Sequence, residues 1–367
     1  MTLASPPATA VPALTTLVAG RRRLAVLASA GLVVACLLLT VIAIGQGAVA
    51  IPPGRVAGIL SAWLSGDASA LDGRDALVVL NIRLPRVLLG LLIGAALAVS
   101  GALMQGLFRN PLADPGLVGV SAGAGLAAAA TIVLGDRFLT GMAMKLPFAA
   151  LPFGAFFGGL ASTLILYLIA TRDGRTSVAT MLLAGVALGA FSGALTGLLA
   201  YISDDRQLRD LTFWSLGSLG GASWTKLYAV ACIVLPLLAA LPLLARGLNG
   251  LMLGEAEAYH LGIPVQRIKA LAIVLVALAV GASVATAGMI GFVGIVVPHL
   301  IRLAIGPDHR LLLPLSALGG AMLLVGADVV ARLIVAPAEL PIGIVTAAIG
   351  APFFLWLLLR RSGTIDV

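Results

Sequence analysis

Charge is scarce in this chain of 367 residues: Asp, Glu, Lys and Arg make up only 10% of it, against about 25% in a soluble domain. With 60% of residues hydrophobic, too little polar surface exists to clothe a water-soluble fold. Lysine is scarcer still. Lys145, Lys226 and Lys269 are its only positions, and none follows a glycine-rich loop. A Walker A loop needs that lysine to reach the nucleotide phosphates, so the chain reads as a non-enzyme with respect to ATP. His260, His299 and His309 are isolated from one another, and no metal-spaced Cys/His cluster is present. Cys36 and Cys232 both fall within apolar runs, where they read as small apolar residues rather than a disulfide or a metal pair. A hydrolase is not supported, because His299 follows Pro298 and no serine motif accompanies it. No cofactor and no metal is expected.

Segments of about ten residues alternating apolar and polar, the mark of a membrane barrel, are also missing. The apolar runs are instead continuous and about as long as the ~20 residues that a spanning helix needs. They are Leu24–Ile44, Val87–Phe108, Leu117–Leu134, Pro147–Ala170, Val178–Ile202, Leu227–Ala245, Ala270–Ala287, Ile290–Ala304, Leu311–Val335 and Ile344–Leu359. A helix satisfies its own backbone in lipid. The expected fold is therefore an all-α polytopic membrane protein with ten transmembrane helices and cytoplasmic N- and C-termini. Residues 1–23 are expected to form a disordered cytoplasmic tail, residues 24–361 the ten-helix domain, and residues 362–367 a second cytoplasmic tail. Ala48-Val49-Ala50 resembles a signal-peptidase site, but a signal core is about 7–15 residues long and the run before it is longer. An uncleaved first span is the better reading. Orientation follows from Arg21, Arg22 and Arg23 before the first run and from a modest majority of the 23 Lys and Arg residues on the same side. The net charge of +8 is thus a topology signal and not a nucleic-acid signal, since the basic residues are scattered.

Three stretches outside the runs stand out. Ile51–Leu64 begins with prolines and has apolar residues at spacings of three and four, as a helix lying on the outer surface would. Phe213–Gly221 is apolar and glycine-rich, fit either to re-enter the membrane edge or to sit in its aromatic belt. The long polar loop Arg246–Lys269 contains Gly254, Glu255, Ala258, His260, Leu261 and Gly262, and a helix-capable segment of that length between two spans suits a cytoplasmic partner. Within the fifth run Gly185, Gly189, Gly193 and Gly197 recur every four residues, a stripe for close helix packing or for lining a path. Asp328 and Arg332, at i,i+4, are the sparse charges inside a run and can pair on one helix face. No internal repeat, direct or inverted, is visible, which weighs against an ion- or proton-coupled secondary transporter, the competing class.

Several motifs then carry a resemblance. They are Arg83-Leu84-Pro85-Arg86, the stretch Phe108–Gly116, Gly119–Gly125, Leu183–Gly189, Gly291–His299, Glu339–Gly343 and Gly350–Phe353. In this order they resemble the FecCD-type permeases of type II ABC importers for iron–siderophores, haem and vitamin B12, over residues 24 to 361. The resemblance implies a multi-pass inner-membrane permease that pairs with a second copy. It implies two cytoplasmic ABC ATPase subunits docked below and a periplasmic substrate-binding protein above. It implies that Gly254 to Gly262 couple to the ATPase, that Asn110 and Leu112 narrow the cytoplasmic gate, and that Arg83, Arg86 and Arg332 receive glutamates of the binding protein. The stretch Asp204–Gly221 looks more like haem permeases than B12 permeases, so the implied cargo order is haem, ferric siderophore, cobalamin. No outward histidine is placed to ligate haem iron, so contact with such a cargo would be apolar and transient.

Overall fold

The computed structural model describes residues 10–47, 50–67, 73–138 and 150–361. The C-terminal tail 362–367, the first nine residues and most of the outer loop expected at Gly135–Leu146 lie outside them. Among the described residues seven helices are long and apolar enough to cross a bilayer, and three more apolar helices are shorter.

Helix α1 runs Ala10–Gly45. The expected disordered tail is thus helical from Ala10 onward. Its proline, Pro12, lies in the first turn, where no intrahelical N–H bond is lost, and the alanines and leucines beyond it extend a helix that the apolar run already nucleates. Helix α2, Pro53–Ser65, forms within the stretch Ile51–Leu64 where a helix is expected, and ends on Gly66 in the left-handed conformation. Helix α3, Arg74–Leu107, starts well before the Val87 boundary that hydropathy suggests. Pro85 does not break it, because residues Val78–Arg83 are wound as a π segment. In that register the N–H of Leu84 reaches Val79, five residues back. The donor for Leu80 would then be Pro85, which has no N–H, and the indole Nε1 of Trp224 takes its place at 3.0 Å.

Helix α3 is the axis of the molecule, its most apolar stretch 83% buried. Close approach is the means. A methyl group on Gly94 would fall onto the carbonyl of Gly320, and one on Gly101 onto that of Gly294. Backbones therefore touch where α3 crosses α11, Val293–Ile305, and α12, His309–Leu333. The same device joins α4, Val120–Phe138, to α5, Ala150–Ala170, through Gly123 and Gly158. A two-residue hairpin pairs β1, Thr171–Arg172, with β2, Arg175–Thr176, in antiparallel register before α6, Val178–Ile202.

The expected outer loop Ser203–Lys226 contains a helix, α7, Asp205–Ser215. Asp204 and Gln207 close a capping box over its first turn, a signal that the sequence carries in plain view. Helix α8, Trp224–Leu251, and helix α10, Val265–Ala287, both overrun their hydropathy boundaries. The loop expected at Arg246–Lys269 shrinks accordingly to a short link bearing helix α9, Glu255–His260. Helix α13, Ile342–Arg361, is the last element among the described residues. Within them, each of the ten apolar runs lies mostly on one of these helices.

Candidate functional site

At the α2 end the three expected arginines converge. Arg83 is buried and its Nη1 donates to the carbonyls of Ile44 and Gly45, at 2.9 and 2.8 Å. Arg332 donates to Gln46 and Ala43, at 2.8 and 3.1 Å. Two cations thus meet the last carbonyls of α1, where the helix dipole is negative. Asp328 and Arg332 form the expected pair, Oδ2 to Nε at 3.0 Å. The pair is not closed on itself, however. Arg86 places Nε and Nη2 at 3.0 and 2.8 Å from Oδ1 of Asp328, and its Nη1 lies 2.7 Å from Glu339. Glu339 is the member that sequence reasoning missed, because it stands 253 residues from Arg86. The arginines are nearly inaccessible, at 5–7% exposure. Beside them a pocket of about 240 Å³ is lined by exposed Arg74 together with Asp75, Arg83, Arg86, Arg332 and Glu339.

At the α9 end the turn after α3 holds Asn110 exposed and Leu112 half-buried. The Leu112 N–H donates to Asn110 Oδ1 at 2.9 Å, and Ala113 closes back onto the Asn110 carbonyl at 3.1 Å. Arg109 before it takes a left-handed φ of 48°. The next bend is held by Asp114, whose carboxylate accepts from Gly116 N–H at 2.7 Å. Burial pushes the Asp114 carboxyl above its ordinary range, and that hydrogen bond partly opposes the shift.

Helix α9 touches the body of the protein through buried Ala258, while Tyr259, His260 and Leu261 are exposed. It starts on Gly254 at φ 124° and ψ 158° and is followed by Gly262 at φ 76°. Both conformations disfavour a side chain. A groove of about 950 Å³ runs along it, lined by Glu255, Tyr259, His260, Gly262 and the arginines Arg175 and Arg267. Glu255 pairs with buried Lys269 at 2.6 Å.

The glycine stripe of α6 divides. Among the described residues, Gly185 alone of the four has a neighbour at its Cβ position, the Leu117 carbonyl together with the Leu166 side chain. Gly189, Gly193 and Gly197 have no atom of the described residues within 4 Å of an added Cβ. The helix is 11% buried over its most apolar stretch, so beyond Gly185 the stripe packs against none of the described residues.

A chain of packed apolar helices with bare apolar flanks and polar clusters at its two ends is built as a polytopic membrane protein. The model of the FecCD transport family matches residues 11–360, and the chain belongs to that family of ABC-importer permeases. It is 51% identical over 290 residues to the hemin transport system permease protein HmuU of Yersinia pestis, covering 77% of this chain and 83% of that one. It is 45% identical over 333 residues to the vitamin B12 import system permease protein BtuC of Klebsiella pneumoniae, covering 91% and 93%. A solved structure described as an inward-facing conformation of a metal-chelate type ABC transporter superposes with a TM-score of 0.77. It is 32% identical and covers 90% of this chain and 98% of that one. Family membership sets aside the secondary-carrier class.

Proposed function

We propose that this chain is the membrane half of a haem importer, carrying haem or another large iron chelate from periplasm to cytoplasm. All ten apolar helices span the inner membrane in this reading, with both termini cytoplasmic, so that the α2 end faces the periplasm and the α9 end the cytoplasm. The observation that carries the cargo assignment is the 51% identity to the hemin permease. The B12 permease aligns over a longer share of the chain, which makes cobalamin the second cargo to test.

The chain works as one of two copies. The uncovered α6 face, with Gly189, Gly193 and Gly197, supports a path between the copies. Asn110 and Leu112 close that path at the cytoplasmic turn. Two ABC ATPase subunits meet α9 along the groove at Tyr259 and His260. The substrate-binding protein docks at the arginine pocket. Its acidic side chains reach Arg74 at the rim first, because Arg83, Arg86 and Arg332 are engaged within the chain. ATP binding and hydrolysis belong to the ATPase subunits, and the work of this chain is to supply the path and its gate.

The test is uptake into liposomes holding the permease with its ABC ATPase subunits, driven by the matching binding protein. Haem, a ferric siderophore and cyanocobalamin are offered separately. ATP-dependent accumulation of haem above the other two is expected. Accumulation of cobalamin alone overturns the haem assignment and keeps the permease reading.

A further inference from the structure

Lys269 is the most conspicuous buried charge at the α9 end, and the functional assignments above leave it without a role. It lies one turn into α10, at 1% exposure. Its Nζ is 2.6 Å from Glu255 Oε1 and 3.0 Å from the Thr176 carbonyl. An ammonium carries three donors and no acceptor, and one removed from water persists only where partners replace its hydration. Both partners belong to other elements. Glu255 is the first residue of α9, and Thr176 ends the hairpin. Gln266, one turn earlier on the same helix, accepts from Thr176 N–H at 3.0 Å. Both backbone groups of Thr176 are therefore held by side chains of α10.

The hairpin passes directly into α6. Ser177 caps that helix, its side chain accepting from Thr180 N–H at 3.3 Å. From Glu255 through Lys269 and Thr176 to the start of α6 the connection contains no slack segment. Helix α9 is otherwise lightly held, since Ala258 is its buried residue.

We propose that Lys269 is the mechanical link through which a displacement of α9 reaches the hairpin and α6. The proposal rests on the permease reading above and deepens it by naming how the coupling helix acts on the helix with the uncovered glycine face. Glu255 is the input, because its side chain is 45% exposed and can follow a partner. Thr176 is the output. A brace that merely fills space would lower stability when removed and leave the transport stroke intact, and that difference makes the role measurable.

The experiment uses the full complex in liposomes and records cargo moved per ATP hydrolysed. Lys269→Met keeps the length and removes the charge. It is expected to assemble, to hydrolyse ATP, and to lose about tenfold in cargo per ATP, the size of effect expected for a residue along a coupling route. Glu255→Gln is expected to lose less, Lys269→Arg to recover part of the loss, and the double variant Lys269→Met plus Glu255→Gln to behave as Lys269→Met alone. An unchanged ratio in Lys269→Met, with or without a lower melting temperature, overturns the link. Should Lys269→Met fail to assemble, Glu255→Gln decides, and a wild-type ratio there overturns it. Absence of ATP-driven uptake by the wild-type complex overturns the permease reading and the link with it.

Discussion

The Trp224 indole donates to the Leu80 carbonyl and so supplies the hydrogen bond that Pro85 withholds from the π segment of α3. The same ring lies 6.0 Å from Trp63 of α2 and 5.8 Å from Tyr228. One side chain thereby joins the surface helix, the central helix and the start of α8. Trp224→Phe keeps the aromatic contacts and leaves the carbonyl unpaired, which costs about 1–3 kcal/mol where the group is removed from water. A lower melting temperature in detergent than the wild type is expected, with a smaller loss for Tyr228→Phe. Equal melting of Trp224→Phe and wild type would show that water satisfies Leu80.

At the other end, Gly254 starts α9 in a backbone region that is essentially reserved for glycine. An alanine methyl there also meets the Glu257 carboxylate. Gly254→Ala is expected to add strain of about 1–3 kcal/mol, relieved by re-aiming α9. Gly262 differs: its φ of 76° faces open space, and asparagine tolerates that region. Co-purification with the ATPase is therefore expected to fall for Gly254→Ala and to persist for Gly262→Asn. Equal retention of the ATPase by both would separate docking from the aim of α9.

The gate expectation is best tested at Leu112. Its N–H, and not its side chain, makes the turn hydrogen bond to Asn110, so Leu112→Cys leaves the turn intact where Asn110→Cys does not. In a chain with Cys36 and Cys232 replaced by alanine, Leu112→Cys is expected to crosslink to its copy in one nucleotide state and not in another. Failure to crosslink under every nucleotide condition in an active complex would remove Leu112 from the gate.

Local chemistry made most of the helices legible. Continuous apolar runs, prolines at helix starts and the surface helix at Pro53–Ser65 are all sequence-local signals, and the structure follows them. Boundaries slipped where a helix outlasts its apolar run: α3 begins at Arg74 because a π turn and a distant indole absorb Pro85. The i,i+4 pair of Asp328 and Arg332 was visible along one helix. Its contacts with Arg86, already singled out as a site residue, and with Gln46, and the contact of Arg86 with Glu339, were not, since only folding brings those segments together. The glycine stripe showed its period but not its partner. Among the described residues only Gly185 finds one, so spacing marked a face without saying what covers it.

That cluster of distant partners also changes how binding-protein docking is to be tested. Reversing Arg83 or Arg86 would strand Asp328 or the last carbonyls of α1, and breaking a buried pair from one side is strongly destabilising, by about 3–5 kcal/mol. Slow association by such a variant would then report misfolding. Arg74 is the informative position, since it is exposed in the first turn of α3 and lines the same pocket. Rim charges act mainly on association rate and its salt dependence. Arg74→Glu is expected to slow binding-protein association about fivefold at low salt and to flatten its dependence on salt, while melting stays within about 0.5 kcal/mol of wild type. Asp75 shares the pocket and carries the opposite sign, so Asp75→Asn is expected to speed association. Opposite shifts of the two variants would identify an acidic partner surface. Surface-plasmon rates that match wild type for both, at low and at high salt, would place the docking site elsewhere.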